Sequence, residues 1–382
     1  MTQLYYAAAC QTDFPCPRDR SEIAERTRRM CDLAEYAITG YAPLGDVRLL
    51  VFPEFAHAAP IYDSLAKLQD RLAVPLPNEH IDRYVAVCRK HGCYIQTGTF
   101  IEAVDRWPNV LFNTTALVGP QGMLARYRKI NPWLPWELHA SPHDLADYED
   151  DPFPVVETEL GRLAAAICYD WLLPETIRQL AFAGAEVLLR VSAYMDPWGA
   201  TAPMDWWTLF NRVRAIENTC YVVAANQGAS LANYAPFSWP GGSMLVDYDG
   251  RILAQADPGP GEKVVVGPID ICRLRAERAR RRMHDMRSHL RSEIHTYLQR
   301  SYLPPAESHP LSSPQIERRI ALGKQATAMA SFDVSRPGVP RRGDAGADKA
   351  GPHEAGRGEA GRGEAHPNEL HSGHPRTDER RP

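Results

Sequence analysis

The chain has 382 residues, a net charge of -4 and 44% hydrophobic residues. That is enough apolar sequence for a sizeable core, and the near-balanced charge gives no global pull toward nucleic acid or a membrane, so partner choice must come from a local site. No run approaches the ~20 apolar residues of a membrane helix, and the opening Met1-Thr-Gln-Leu-Tyr-Tyr-Ala-Ala-Ala-Cys10 lacks the basic start and long apolar stretch of a secretory leader. A cytoplasmic protein is expected, with neither nucleic acid nor membrane as partner. Its 8 cysteines are scattered and none forms a Cys-x-x-Cys pair, so reduced thiols are expected.

In chain order, short apolar or alternating runs bounded by Gly, Pro, Asp or Asn read as strands. They span residues 4–9, 47–52, 94–100, 111–118, 163–167, 187–191, 221–225, 244–247 and 264–269. Residues 21–39, 79–91, 174–183 and 204–218 carry apolar side chains at three-to-four spacing and read as helices, with Ser21 and Asn78 placed as N-terminal caps. Alternating helix and strand predicts an α/β layered fold. Periodicity alone does not separate a doubly wound sheet from a sandwich.

No linker interrupts this pattern before about residue 305, so one large domain over residues 1–300 is expected, followed by a C-terminal extension over 301–334. Residues 335–382 hold repeats such as Glu354-Ala-Gly-Arg-Gly358 and Glu359-Ala-Gly-Arg-Gly363. They lack apolar residues to offset ordering entropy and read as a disordered low-complexity tail. The arginine-dense stretch Leu274–Gln299 reads as a helix with a solvated face or subunit contact rather than a nucleic-acid surface.

Three segments carry isolated reactive groups in apolar settings: Glu54 in VFPEF, Lys129 in YRKINPWLPWE and Cys168 in AAAICYDWLLPE. A buried carboxylate, an ammonium and a thiol are the parts of an acyl-transfer site that needs no histidine. Cys88, Cys93 and Cys220 read instead as small buried hydrophobes. His139 and His143 have the spacing of a helical metal pair, but Pro142 lies between them and no third ligand is near, so no metal is expected. No serine elbow or phosphate-binding glycine loop appears.

Taken with their contexts, Glu54, Lys129 and Cys168 resemble the Glu-Lys-Cys triad of the nitrilase superfamily of carbon-nitrogen hydrolases. Arg214-Ala-Ile-Glu217-Asn218 through Asn226 and Gly242-Ser-Met-Leu-Val-Asp-Tyr-Asp-Gly250 resemble that family's downstream blocks in the same order. The resemblance covers roughly residues 1 to 300. It implies a four-layer α-β-β-α sandwich with the triad at strand ends, no metal or organic cofactor, and a homo-oligomer.

For the chemistry, the resemblance implies that Glu54 takes the thiol proton while Cys168 attacks an amide carbonyl. Lys129 and the backbone N–H of Tyr169 would meet the oxyanion, and Glu137, eight residues after Lys129, would orient the amide and the lysine. A thioester to Cys168 and release of ammonia follow. Tyr194, Trp198 and Trp133 are the candidate substrate contacts, with Trp136 and Trp171 as further possible pocket walls; Glu217 and Asn218 read as braces. Cys168-Tyr-Asp resembles amidase and carbamoylase members, and YRKINPWLPWE looks closest to aliphatic amidases and formamidases, from which the acidic stretch His143–Asp151 sets this chain apart. Hydrolysis of a small-molecule amide is the expected activity. The alternatives are N-carbamoyl amino acid or nitrile hydrolysis and, from other classes, an acyltransferase or an inactive binding scaffold.

Overall fold

The computed structural model describes residues 4–62, 64–133, 137–145, 147–196, 199–230, 239–295 and 298. The strands are β1 (Leu4–Gln11), β2 (Val47–Val51), β3 (Tyr94–Gln96), β4 (Phe100–Ala103), β5 (Leu111–Gly119), β6 (Gly122–Arg128), β7 (Val156–Thr158), β8 (Gly161–Ile167), β9 (Val187–Ser192), β10 (Tyr221–Asn226), β11 (Met244–Val246), β12 (Ile252–Gln255) and β13 (Lys263–Asp270). The helices are α1 (Ile23–Tyr41), α2 (Leu65–Arg71), α3 (Glu79–His91), α4 (Pro174–Phe182), α5 (Trp206–Asn218) and α6 (Ile271–Arg280). Among these residues the strands form a seven-stranded sheet, ordered β13-β1-β2-β3-β5-β4 with β6 also on β5, and a six-stranded sheet ordered β12-β11-β10-β9-β8-β7.

Strand alternation shows how the layers meet. In β1, Ala7 and Ala9 pack into a core shared with the second sheet, including Leu189, Val223 and Leu245, whereas Ala8 and Cys10 pack with Met30, Ala34, Tyr84 and Cys88 of α1 and α3. Leu49 and Val51 of β2 likewise face the other sheet and Leu50 faces the helices. On the far side, Ile177 and Leu180 of α4 and Trp207 and Ala215 of α5 join the core beneath the second sheet. Helices therefore cover the outer face of each sheet, giving the α-β-β-α sandwich. No helix among the described residues is long and apolar enough to cross a membrane.

Several local expectations change. The run over 94–100 is two strands, because Gly98 lies against the 53–56 loop so closely that a Cβ there would be 2.6 Å from Ala56 Cβ and 2.7 Å from the Pro53 carbonyl. Asn78 caps α3 through its side chain, accepting from the His80 and Ile81 N–H groups at 3.0 and 3.2 Å. Ser21 is not a cap: it sits in a 3-10 turn capped by Asp19, whose carboxylate accepts the Ser21 N–H. α2, β6, β7 and β12 were not anticipated; β7 is only three residues long, and β12 is largely solvent-facing.

Among the described residues the arginine-rich segment is α-helical only over α6, with a 3-10 turn at Ser292–Ile294, and several of its arginines are bound within the chain. Arg275 pairs with the buried Glu186, Arg278 donates to the Thr219 and Ala185 carbonyls, and Arg281 joins Glu277 and Asp249. These contacts tie α6 to the starts of β9 and β10. The segments expected at 301–334 and 335–382 lie outside the described residues.

Candidate active site

Each reactive side chain stands just beyond the end of a strand. β2 leads to Glu54, β6 to Lys129, β8 to Cys168, and β9 to Ala193 and Tyr194. Arg128 and Lys129 take opposite sides as the strand pleat requires. Arg128 pairs with the buried Glu102 and with Asp150, while Lys129 enters the site. Asp147 and Glu149 of the acidic stretch pair with Arg106, so that stretch is held against β4 to β6 by two arginines.

Two of the supporting turns have left-handed backbone. Phe55, after Glu54, has φ of 63°, and Cys168 has φ of 42°. Such a conformation costs a non-glycine residue on the order of 1–3 kcal/mol and persists only where the surroundings enforce it. At Phe55 the enforcing contact is its N–H donating to Thr99 Oγ1 at 2.9 Å. At Cys168 it is the following 3-10 turn: Asp170 accepts from the Ile167 N–H, the Tyr127 hydroxyl and both the backbone and side chain of Asn131, and Trp171 Nε1 donates to the Ala166 carbonyl.

Arg214 completes this support by donating to the Trp171 and Leu172 carbonyls at 3.0 Å, and Glu217 holds Arg214 and Arg178. Glu217 thus acts on the cysteine turn through Arg214. The Asn218 side chain donates to the Arg214 carbonyl.

Glu54, Lys129 and Glu137 are each 1% exposed. Lys129 Nζ donates to Glu54 Oε1 and Glu137 Oε1, both at 2.8 Å. Asn113 Nδ2 donates to the same two oxygens at 2.9 and 3.1 Å. The second oxygen of Glu54 accepts the Ala193 N–H at 3.0 Å, and that of Glu137 accepts the Trp133 N–H at 2.6 Å.

Burial raises Glu54 to about 7, Lys129 opposing and Glu137 reinforcing the rise. Burial also pulls Glu137 upward, but Lys129, His139 and the Trp133 N–H together hold it below the usual carboxylate range. Lys129 is raised because its two carboxylates and Cys168 outweigh burial. Burial and the Glu54 charge push the Cys168 thiol up to about 12, with Lys129, Ser192 and Arg190 pulling the other way. Cys168 is therefore held as a thiol near neutral pH, beside a carboxylate raised to about 7.

These groups open onto a cavity of about 290 Å³ whose lining includes Glu54, Lys129, Glu137, Cys168, Tyr169, Trp133 and Tyr194. Trp133 and Tyr194 are thus at the pocket. Trp171 is fully buried beneath Arg190 and does not line it, Trp136 and Trp198 lie outside the described residues, and Phe55, Leu172, Met195 and Trp206 line it without having been singled out. His139 is buried and His143 exposed, so they share no face.

Asn113 and Arg190 were also missed. Each is a polar residue inside an apolar strand, LFNTTALVG and VLLRVS, where asparagine and an unpaired arginine are disfavoured, and that anomaly was the available signal.

Fold and site together fit a hydrolase of carbon-nitrogen bonds. The carbon-nitrogen hydrolase profile matches residues 6–279, and the chain belongs to that family, within the nitrilase superfamily. It is a hydrolase of carbon-nitrogen bonds other than peptide bonds, on the amidase-like side of the superfamily. It is 29% identical over 265 residues to a formamidase from Bacillus cereus (strain Q1), covering 68% of this chain and 72% of that one. Among solved structures, a carbon-nitrogen hydrolase from Helicobacter pylori G27 superposes with a TM-score of 0.63 at 20% identity, covering 78% of this chain and 99% of that one. An amidase from Nesterenkonia sp. superposes with a TM-score of 0.54 at 20% identity, covering 77% and 96%.

Proposed function

We propose that the protein hydrolyses a primary amide to a carboxylic acid and ammonia through a thioester on Cys168. The observation that carries this reading is the buried Glu54–Lys129–Glu137 cluster beside Cys168 in one cavity. Glu54 accepts the thiol proton as Sγ bonds to the amide carbon. Two of the Lys129 N–H bonds go to the carboxylates; the third, with the Tyr169 backbone N–H, meets the oxyanion. Glu54 passes its proton to the amide nitrogen, the C–N bond breaks, and ammonia leaves.

Water then yields a proton to Glu54 and its oxygen adds to the thioester carbonyl. The C–S bond breaks, the sulfur recovers the proton from Glu54, and the acid departs. Glu137 holds Lys129 and orients the substrate nitrogen. A variant of the Nesterenkonia sp. AN1 amidase carries the acetamide moiety of fluoroacetamide covalently at its active site cysteine, which supports a nucleophilic role for Cys168 here.

The test is ammonia release across a panel of amides, with intact-mass analysis during turnover. An acyl adduct on Cys168 and loss of turnover in Cys168→Ala are expected. An adduct on another cysteine, or an active Ala variant, overturns the assignment. Adding an amine acceptor to the same assay separates hydrolysis from acyl transfer.

A further inference from the structure

We propose that the acyl side of this pocket is built for a neutral, apolar group much larger than formyl or acetyl, and that it rejects amides bearing a carboxylate. The proposal rests on the amidase reading above and adds the class of acyl group. A cavity of about 290 Å³ far exceeds the ~10–15 Å³ that holds one water molecule, whereas formamide has three heavy atoms and acetamide four. Beyond the reactive groups its lining is dominated by Phe55, Trp133, Leu172, Tyr194, Met195 and Trp206. An apolar wall of this size is wetted by a one- or two-carbon acyl group and desolvated by a longer one.

Charge decides the second half. The cavity's charged lining is Glu54, Glu137 and Lys129, and Lys129 already faces both carboxylates at 2.8 Å. A substrate carboxylate would enter beside two buried anions with no further cation among the described lining residues to meet it. Arg190 does not serve, because its guanidinium lies among the rings of Trp171, Tyr194 and Trp207 and is not part of the lining. This geometry disfavours N-carbamoyl amino acids.

The experiment measures kcat/KM of the full chain for formamide, acetamide, butyramide, hexanamide, phenylacetamide, succinamate and N-carbamoylphenylalanine. Burial of each added methylene is expected to raise kcat/KM about fourfold, which makes hexanamide, with four more methylenes, roughly 250-fold better than acetamide. Succinamate should fall at least a hundredfold below butyramide, and N-carbamoylphenylalanine equally far below phenylacetamide. Trp206→Ala should lower kcat/KM for hexanamide about tenfold more than for acetamide.

Fastest turnover of formamide or acetamide, still dependent on Cys168, overturns this proposal and leaves the amidase reading standing. A carboxylate-bearing substrate ranking first does the same. Failure of every amide to release ammonia overturns both.

Discussion

The Asn113 carbonyl accepts the Lys129 N–H at 2.9 Å, and the side chains of the same two residues donate to the same pair of oxygens, Glu54 Oε1 and Glu137 Oε1. β5 and β6 thereby present an amide and an ammonium side by side to two buried carboxylates. Without the amide, each carboxylate oxygen depends on Lys129 alone, and the lysine is less free to turn its third N–H toward an oxyanion. Asn113 is a positioning residue in this arrangement.

Asn113→Ala is expected to lower kcat about ten- to a hundredfold, the loss of a hydrogen bond to a charged group being worth ~1.5–3 kcal/mol. Asn113→Asp should be worse, since it sets a third carboxylate against the pair. Steady-state kinetics alongside thermal melts check this. Unchanged kcat in a folded Ala variant would show that Lys129 holds both carboxylates unaided.

The rate should carry an acid limb near pH 7, because Glu54 must be ionised to accept the Cys168 proton and burial sets its proton affinity at about 7. Below that pH, kcat/KM falls about tenfold per unit. Neighbouring charges give opposite signs: Glu137→Gln removes an anion and moves the limb to lower pH, whereas Lys129→Met removes a cation and moves it higher. Lys129→Met should also cost roughly a hundred- to a thousandfold in kcat. The double variant should lose much less than the sum of the singles in free energy. Limbs that move together, or strict additivity, contradict the shared site.

Acid stability should depend on His139, whose burial, opposed by Glu137 and reinforced by Lys129, lowers it from 6.5 to about 4. Both its ring nitrogens are buried without a hydrogen-bond partner among the described residues. The unfolded chain binds this proton first as pH falls, so stability is complete above about pH 6.5 and declines toward pH 4, by about 3 kcal/mol at most. His57, held well below its usual value mainly by burial, adds to the same slope. Urea unfolding between pH 7 and 4 should show a shallower decline for His139→Gln; an unchanged slope would remove His139 from the account.

Arg190 should influence the nucleophile although it does not line the cavity. Burial lowers it to about 10, and the groups that favour its charge are Cys168, Tyr194 and Glu54. Nη1 donates to Asn211 at 2.9 Å, Nε and Nη2 have no hydrogen-bond partner among the described residues, and the guanidinium centre lies 4.3 Å from the Trp207 ring centroid. Arg190→Met removes a cation that favours the thiolate, so iodoacetamide should alkylate Cys168 more slowly below the thiol's pKa, with the onset shifted upward. Arg190→Lys should recover part of the rate. Equal alkylation profiles for folded Met variant and wild type would reduce Arg190 to a packing element.

The local sequence by itself determined most of the elements and singled out Glu54 and Cys168, while Lys129 and Glu137 rest on the family resemblance of their context. Glu54 and Cys168 each follow an apolar run, Lys129 and Glu137 share the segment YRKINPWLPWE, and α3 with its Asn78 cap follows from spacing and composition alone. Short-range rules suffice there, because a strand end, a cap or a motif is written within about ten residues.

What only the tertiary structure decided is which distant residues complete the site. Asn113 lies 59 residues from Glu54, and Ala193 lies 139 residues from it. Gly98 matters only because the Glu54 loop passes over it. The arginines of α6 turn inward because the starts of β9 and β10 lie beside them. The sandwich itself, as opposed to a doubly wound sheet, is a choice of which face of Ala7–Cys10 meets which layer; both faces are equally apolar, so one strand's alternation cannot encode it and the packing of the second sheet does.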